Sequence, residues 1–244
     1  MPRGPAQDDA VDFGAEALPG LRTAVSELAW LLSRGYATTS ALELVGNRHD
    51  LRARQRTAVL RCTCTDDEAE ARTARRVGAA QLRGRAVALD GFNVLIAVES
   101  ALAGGVVLRG RDGALRDMAS VHGSYRRSET TQAAAEAIGE QLAALGPSAV
   151  LWLLDRPVSN SGRLKVSLAE LAQARGWPWT IELDFDPDKR LAQLGGEGAS
   201  ASPPPVVASG DGWILDRVDA SFDLAAHTIA AARPDAWLLD LGLL

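Results

Sequence analysis

Apolar residues fall at helical spacing through the first third of the chain and in short unbroken runs after it. Leu21, Val25, Leu28, Ala29 and Leu32 share one face of a helix expected over Leu21 to Ser33, which Gly35 stops. Ser40, with Glu43 three residues on, makes a capping box for a short helix through Val45. Further helices are expected over Leu51 to Leu60 and from Asp66-Asp67-Glu68 to about Leu82, the three carboxylates suiting a helix N-terminus. Residues 1 to about 19 are rich in Pro, Gly and Asp and are expected to be disordered.

From Arg85 the pattern alternates between strand and helix. Strands are expected over 85–90, 149–154, 178–183 and 206–209, with a last apolar run from Ala236 to Leu239. Helical pattern runs through Ala103, from Leu115 to His122, from Ser128 to Leu145, over 162–175, briefly after Pro187, and over 221–232. Ser161 is placed to open the 162–175 helix and Gly176 to close it. Val106-Val107-Leu108 and the Asp112-Gly113 turn form an excursion or hairpin. Residues 195–205 (GGEGASASPPP) read as a flexible surface loop. The expected architecture is a small all-α domain over 20–82 followed by an α/β domain over 83–244. In the second domain helices flank a parallel sheet.

A net charge of −5 gives no general attraction to nucleic acid or an anionic membrane, so any such contact needs a local basic patch. Arg48, Arg52 and Arg56, four apart, offer one such face; it either follows nucleic-acid phosphates or belongs to a solvated or interdomain helix. Cys62 and Cys64 form too small a set for a structural zinc and read as free thiols. No apolar signal core opens the chain and no stretch is long and apolar enough for a membrane span, which leads to an expectation of a cytoplasmic protein without membrane contact.

The chemistry lies at the strand ends. The run Val87-Ala88-Leu89 meets Asp90-Gly91-Phe92-Asn93, and Val150 to Leu154 meets Asp155. Thr180 to Leu183 leads to Asp184, Asp186 and Asp188, and Val206 to Ser209 leads to Asp211. Ligands of parallel sheets gather outside the carboxyl ends of the strands. Carboxylates meeting there repel one another unless a cation lies between them, by roughly 4 kcal/mol at 4 Å and an intermediate dielectric. Asn93 can hold Asp90 or a substrate. Ser159, Asn160, Ser161 and Ser209 offer hydrogen bonds to phosphate or to water on a metal. His122, Tyr125 and Arg126 form a polar knot able to grip a phosphate backbone, although a lone His is more often structural. Asp216 and Asp223 read as outlying acids. For each acid the plainer alternative is a helix cap or a solvated loop.

Phe92 stands where a phospho-aspartate phosphatase needs a second Asp, and no phosphate-binding glycine loop follows a strand. The order D-G-F-N after the first strand, Asp155, P-D-K before a short helix and then S-x-D resembles the PIN-like nucleases. Their NYN branch is the nearest in pattern, over roughly residues 85 to 240. The whole chain, including the S-A-L-E-L-V-G-N-R segment, is similar to prokaryotic two-domain proteins carrying a domain of unknown function of the 434 type. The nuclease resemblance implies Mg²⁺ or Mn²⁺ held by Asp90, Asp155, Asp188 and Asp211, with Asn93 in support. It implies metal-dependent hydrolysis of RNA phosphodiester bonds, with Asp90, Asp155 and Asp211 catalytic. The alternative is a non-catalytic RNA-binding or regulatory protein of the same fold. The helical part would then hold RNA, a protein partner or a second copy of the chain.

Overall fold

The apolar runs pair as strands, and everything else is placed by them. The computed structural model describes residues 3–118, 125, 130–196 and 199–242. Its first part is helical: α1 (Asp9–Asp12), α2 (Leu18–Leu32), α3 (Thr38–Arg48), α4 (Ala53–Cys62) and α5 (Asp66–Arg75). Then come β1 (Ala86–Asp90), α6 (Gly91–Leu102), β2 (Val107–Arg109), β3 (Leu115–Asp117) and α7 (Thr130–Leu145). The chain continues through β4 (Ala149–Asp155), α8 (Ser161–Arg175), β5 (Trp179–Asp184) and α9 (Pro187–Gly195). It closes with β6 (Val206–Ala208), α10 (Gly212–Leu215), α11 (Leu224–Ala232) and β7 (Leu238–Asp240).

Four strands form a parallel sheet in the order β5-β4-β1-β6. The chain winds outward from β1 through β4 to β5 and then returns to the other side of β1. The winding direction therefore reverses between β1 and β6, the place where such sheets open a crevice. Strand alternation sorts the side chains. Val87 and Leu89, Val150, Trp152 and Leu154, and Val206 and Ala208 enter one core with Leu95, Ile138 and Ile229 from α6, α7 and α11. Ala88, Leu153 and Val207 enter a smaller core with Leu191 of α9 and Ile214 of α10. Continuing that alternation past the last apolar residue puts positions 90, 155 and 209 on the face that α9 and α10 cover.

The helical part does not close a core of its own. Leu21, Val25 and Leu28 of α2 and Val59 and Cys62 of α4 pack with Val106, Leu108, Leu239 and Leu241. Those residues belong to a second sheet, β3-β2-β7, in which β2 pairs antiparallel with β3 and parallel with β7. The expected helix from Leu115 to His122 therefore begins instead as strand β3. Turn chemistry decides this: Gly113 takes φ +73° and Asp112 Oδ1 accepts the Ala114 N–H, which together close the hairpin.

The expected disorder at the start of the chain is also overturned where residues are described. Asp9 and Asp12 of α1 are buried and take ion pairs from Arg54 and Arg52 of α4. Phe13 packs in the helical core. Arg3 reaches the fully buried Glu99 of α6 at 2.8 Å, and Glu99 also accepts from Tyr125 and Thr131. Composition alone misjudged a segment held by specific carboxylate–guanidinium pairs. Among the described residues no helix is long and apolar enough to cross a membrane.

Candidate functional site

A cavity of about 820 Å³ opens over the carboxyl edge of the parallel sheet, at the β1/β6 reversal. Asp90, Asn93, Asp155, Asp211 and Trp213 line it from the α/β side, and Thr38, Leu60, Arg61, Thr63, Glu68 and Arg72 line it from the helical side. Six carboxyl groups (Glu68, Asp90, Asp117, Asp155, Asp211, Asp216) face three guanidinium groups (Arg61, Arg72, Arg116). The lining is therefore acidic, a surface for cations before anions.

Asp90 ends β1 and caps α6, accepting the Asn93 N–H at Oδ1 (3.4 Å) and the Ser209 hydroxyl at Oδ2 (2.8 Å). Asp90 as a whole is 7 % exposed. Burial pushes its pKa up to about 8, and Asp188, Asp211 and Asp155 add to the rise while the Ser209 hydrogen bond works against it. All four expected acids are thus within electrostatic reach of one another. Asp188, in the first turn of α9, is raised to about 6 by partial desolvation and then by Asp211, Asp155 and Asp186. Asp155 is raised as well, by burial first and then by Asp186. Asp211 caps α10 through the Trp213 and Ile214 N–H groups.

Asn93 works between elements: its Oδ1 accepts the Gly210 N–H at 2.8 Å, tying α6 to the loop after β6. Ser209, expected to face substrate, is buried; it donates to Asp90 and accepts the Asp211 N–H, so it braces the acids instead. Ser159, Asn160 and Ser161 do not line the cavity. Asn160, not Ser161, stands at the N-cap position of α8, in the left-handed region (φ +69°), and its side chain donates to the Tyr125 carbonyl. Ser161 is buried and donates to the Arg156 carbonyl. His122 and Arg126 lie outside the described residues. Tyr125 from the same knot is a core residue, its ring 5.1 Å from that of Phe92. Asp184 pairs with Arg190, and its carboxyl lies below the usual range, first through the Asp186 N–H and then through Arg190. Asp223 caps α11 and accepts the Leu115 N–H, so it is a tie between elements and not a surface acid.

Each arginine of the face has a partner within the chain, although Arg48 and Arg52 stay largely exposed. Arg52 holds Asp12, Arg48 pairs with Glu27, and Arg56 donates to Leu51 O and Asn47 Oδ1. Cys62 and Cys64 are free and buried, with thiols pushed up to about 12 and about 11 by that burial, which keeps them unreactive.

Two features are absent from the strand-end pattern. The first is a clamp across the cavity wall: Arg72 of α5 grips Asp216 with two hydrogen bonds (2.7 and 2.8 Å) and Asp112 with a third (2.9 Å). Arg116 grips the same Asp112 at 2.8 and 2.6 Å. Burial works to raise Asp112, but Arg116 and then Arg72 outweigh it and hold its carboxyl well below the usual range. The second is a pair of exposed aromatics, Phe185 and Trp213, beside the acids. The signal for the two aromatics was their place beside strand-end acids, Phe185 in D-F-D and Trp213 in D-G-W.

The donor chemistry suits a hard cation, since every acid at the reversal offers carboxylate oxygen. Among the described residues no three carboxylate, imidazole or thiol groups stand together closely enough to hold a metal by themselves. That arrangement matches an ion bound through one or two carboxylates and otherwise through water and substrate, which is how Mg²⁺ is commonly held.

Fold and cleft define a doubly wound α/β protein with an acid-lined crevice, walled on one side by helices. The chain belongs to the family described as Domain of unknown function (DUF5616), which matches residues 79–227. A second description, Protein of unknown function (DUF434), matches residues 20–75, the helical wall. The uncharacterized protein MJ0935 of Methanocaldococcus jannaschii is 30% identical over 154 residues, covering 63% of this chain and 74% of that one. No solved structure matches the chain.

Proposed function

We propose that the cleft is the active site of a metal-dependent ribonuclease that hydrolyses RNA phosphodiester bonds. The observation that carries this reading is the convergence of Asp90, Asp155 and Asp211 on one cavity at the winding reversal. Asp90, Asp155 and Asp211 in the cavity and Asp188 at the adjoining hollow are the acids among which the one or two carboxylates on Mg²⁺ or Mn²⁺ would be found. When bound, such an ion supplies Lewis acidity toward water and the phosphodiester and offsets the charge that develops on the leaving oxygen.

The chain's own part is positioning. Ser209 and the Asn93 N–H fix both oxygens of Asp90, so that its charge has a set direction. Gly210 lets the loop pass close to β3, since a Cβ there would lie 2.5 Å from Leu115 O. The clamp through Arg72 holds the helical wall against the α/β part, keeping the cleft narrow and its carboxylates desolvated.

Calorimetric titration of Mn²⁺ and Mg²⁺ into wild type and Asp90→Asn, followed by cleavage of end-labelled RNA, tests the reading. Binding and cleavage that both vanish in Asp90→Asn support it. Absence of both from wild type, with RNA present in the titration, refutes it. That no three-ligand cluster occurs among the described residues favours a second reading, an RNA-binding or regulatory protein without catalysis. Under that reading RNA binds wild type and Asp90→Asn alike and no product forms.

A further inference from the structure

Phe185 and Trp213 are among the most exposed aromatic side chains described, at 70% and 44%; Trp213 lines the acid cleft, and Phe185 precedes Asp186, which lines the hollow next to it. Phe185 follows β5 directly, between Asp184 and Asp186. Trp213 follows Asp211 by two residues in α10. Each carries a guanidinium over its ring, Arg156 at 4.7 Å from the Phe185 centroid and Arg217 at 4.0 Å from that of Trp213. Arg217 is further fixed by a 2.9 Å hydrogen bond to the Trp213 carbonyl.

Trp213 is also the joint between two spaces. It lines the main cavity beside Asp211, and it lines an adjoining hollow of about 390 Å³ with Asp186, Asp188 and Lys189. A molecule extending from the first space into the second must pass the indole. Lys189, one of two lysines in the chain, lines that hollow and adds a second cation to Arg217 at the passage.

We propose, on the strength of the ribonuclease reading, that Trp213 and Phe185 are base-stacking platforms that restrict the site to unpaired RNA. An exposed ring backed by a guanidinium is a surface for a nucleobase, and stacking accepts any base because every base has a π-face. A base inside a duplex is stacked on its neighbours and offers no free face. The acidic lining acts in the same direction. A duplex brings the phosphates of two strands against the cleft carboxylates, a denser charge than a single strand carries. Lys189 takes the phosphate between a base on Trp213 and the next nucleotide in the hollow.

Trp213 donates its backbone N–H to Asp211 (2.7 Å), a bond that survives side-chain substitution, so platform and acid can be separated by mutation. The test uses the full-length protein and one end-labelled RNA, half unpaired and half in a blunt hairpin. The variants are Trp213→Ala, Trp213→Phe and Phe185→Ala. Cuts confined to the unpaired half are expected. KM should rise roughly tenfold in each alanine variant, about one base stack, and return to within about threefold in Trp213→Phe. Mn²⁺ affinity by calorimetry and the melting temperature should not move. Cleavage that spreads equally into the hairpin, or alanine variants with unchanged KM, overturns the platforms while the nuclease reading stands. If wild type neither cuts nor retains this RNA, that reading fails and the platforms fall with it.

Discussion

Two buried aspartates around the same cleft have opposite fates. Asp112 is 2% exposed and meets the guanidinium groups of Arg72 and Arg116, which hold its carboxyl ionised far into acid. Asp90 is 7% exposed and meets a serine hydroxyl, a backbone N–H and three other carboxylates. The fold supplies compensating charge at one site and leaves it out at the other. A buried charge without a partner costs several kcal/mol, so Asp90 stays protonated up to about 8 unless a compensating charge is added. Asp112 is architecture by this criterion, and under the proposed reading Asp90 is the group whose charge a cation would compensate.

The largest effect expected from this contrast belongs to Asp112→Ala. Removing that carboxylate leaves the buried Arg116 without its acid and takes one of the two acids gripped by Arg72, which keeps Asp216; it should cost about 3–5 kcal/mol in urea denaturation. Because its pKa is lowered by folding, the stability it contributes is present above the unfolded value near 4 and is lost only as pH falls below that. The cost of Asp112→Ala should therefore be flat from pH 5 to 9. A cost below about 1 kcal/mol would show that the clamp is not what holds the helical wall.

Asp90→Asn should act in the other direction. The amide can accept the Asn93 N–H and donate to the Ser209 oxygen, so the bonding survives while the charge goes. In wild type the native carboxyl keeps its proton up to about 8, whereas the unfolded one loses it near 4. Wild-type stability therefore falls as pH rises from about 4 to about 8. The variant lacks that fall. It should match wild type at pH 4 and gain about 1–3 kcal/mol at pH 8.5, a melting point higher by several degrees. Parallel melting curves across this range would mean that Asp90 is not buried unpaired.

A smaller effect separates a cation site from mere crowding. At pH 7.5, Mg²⁺ or Mn²⁺ at ten times its dissociation constant should stabilise wild type by about 1.4 kcal/mol. Asp90→Asn should show no such shift, and Ca²⁺-free chelator should leave both proteins unmoved. Equal stabilisation of the two proteins would place the ion elsewhere on this acidic chain.

The two aspartates also differ in how far the sequence exposes them. Asp90, Asp155 and Asp211 are legible because each ends or follows an apolar run, and alternation carries the parallel sheet to its carboxyl edge with little room for error. Asp112 is not legible. Its partners lie four and 40 residues away, and Arg72 reaches Asp216 across 144. Pairings at that separation come from tertiary packing, which periodicity does not encode. The same limit explains Ser209, read as facing substrate although it donates to Asp90 across 119 residues, and the start of the chain, where Asp9 meets Arg54 across 45. In each case the residue type was seen and its partner was not.

The arginine face of the helical part gives the smallest expected effect and the strictest control. Arg48, Arg52 and Arg56 have the spacing of a phosphate-binding stripe, yet Arg52 holds the buried Asp12 and Arg56 holds Leu51 O and Asn47. The Arg48 and Arg52 side chains are largely exposed, at 69% and 58%, and Arg48 pairs with Glu27 at 3.2 Å. An exposed pair of this kind contributes about 0–1 kcal/mol. Arg48→Ala should therefore leave stability nearly unchanged and shift RNA affinity less than about twofold at constant salt. If affinity instead drops tenfold and the salt dependence loses a unit of slope, RNA is held by the helical surface. The acid cleft would then be the wrong place to look for its grip, even with Asp90 still binding metal.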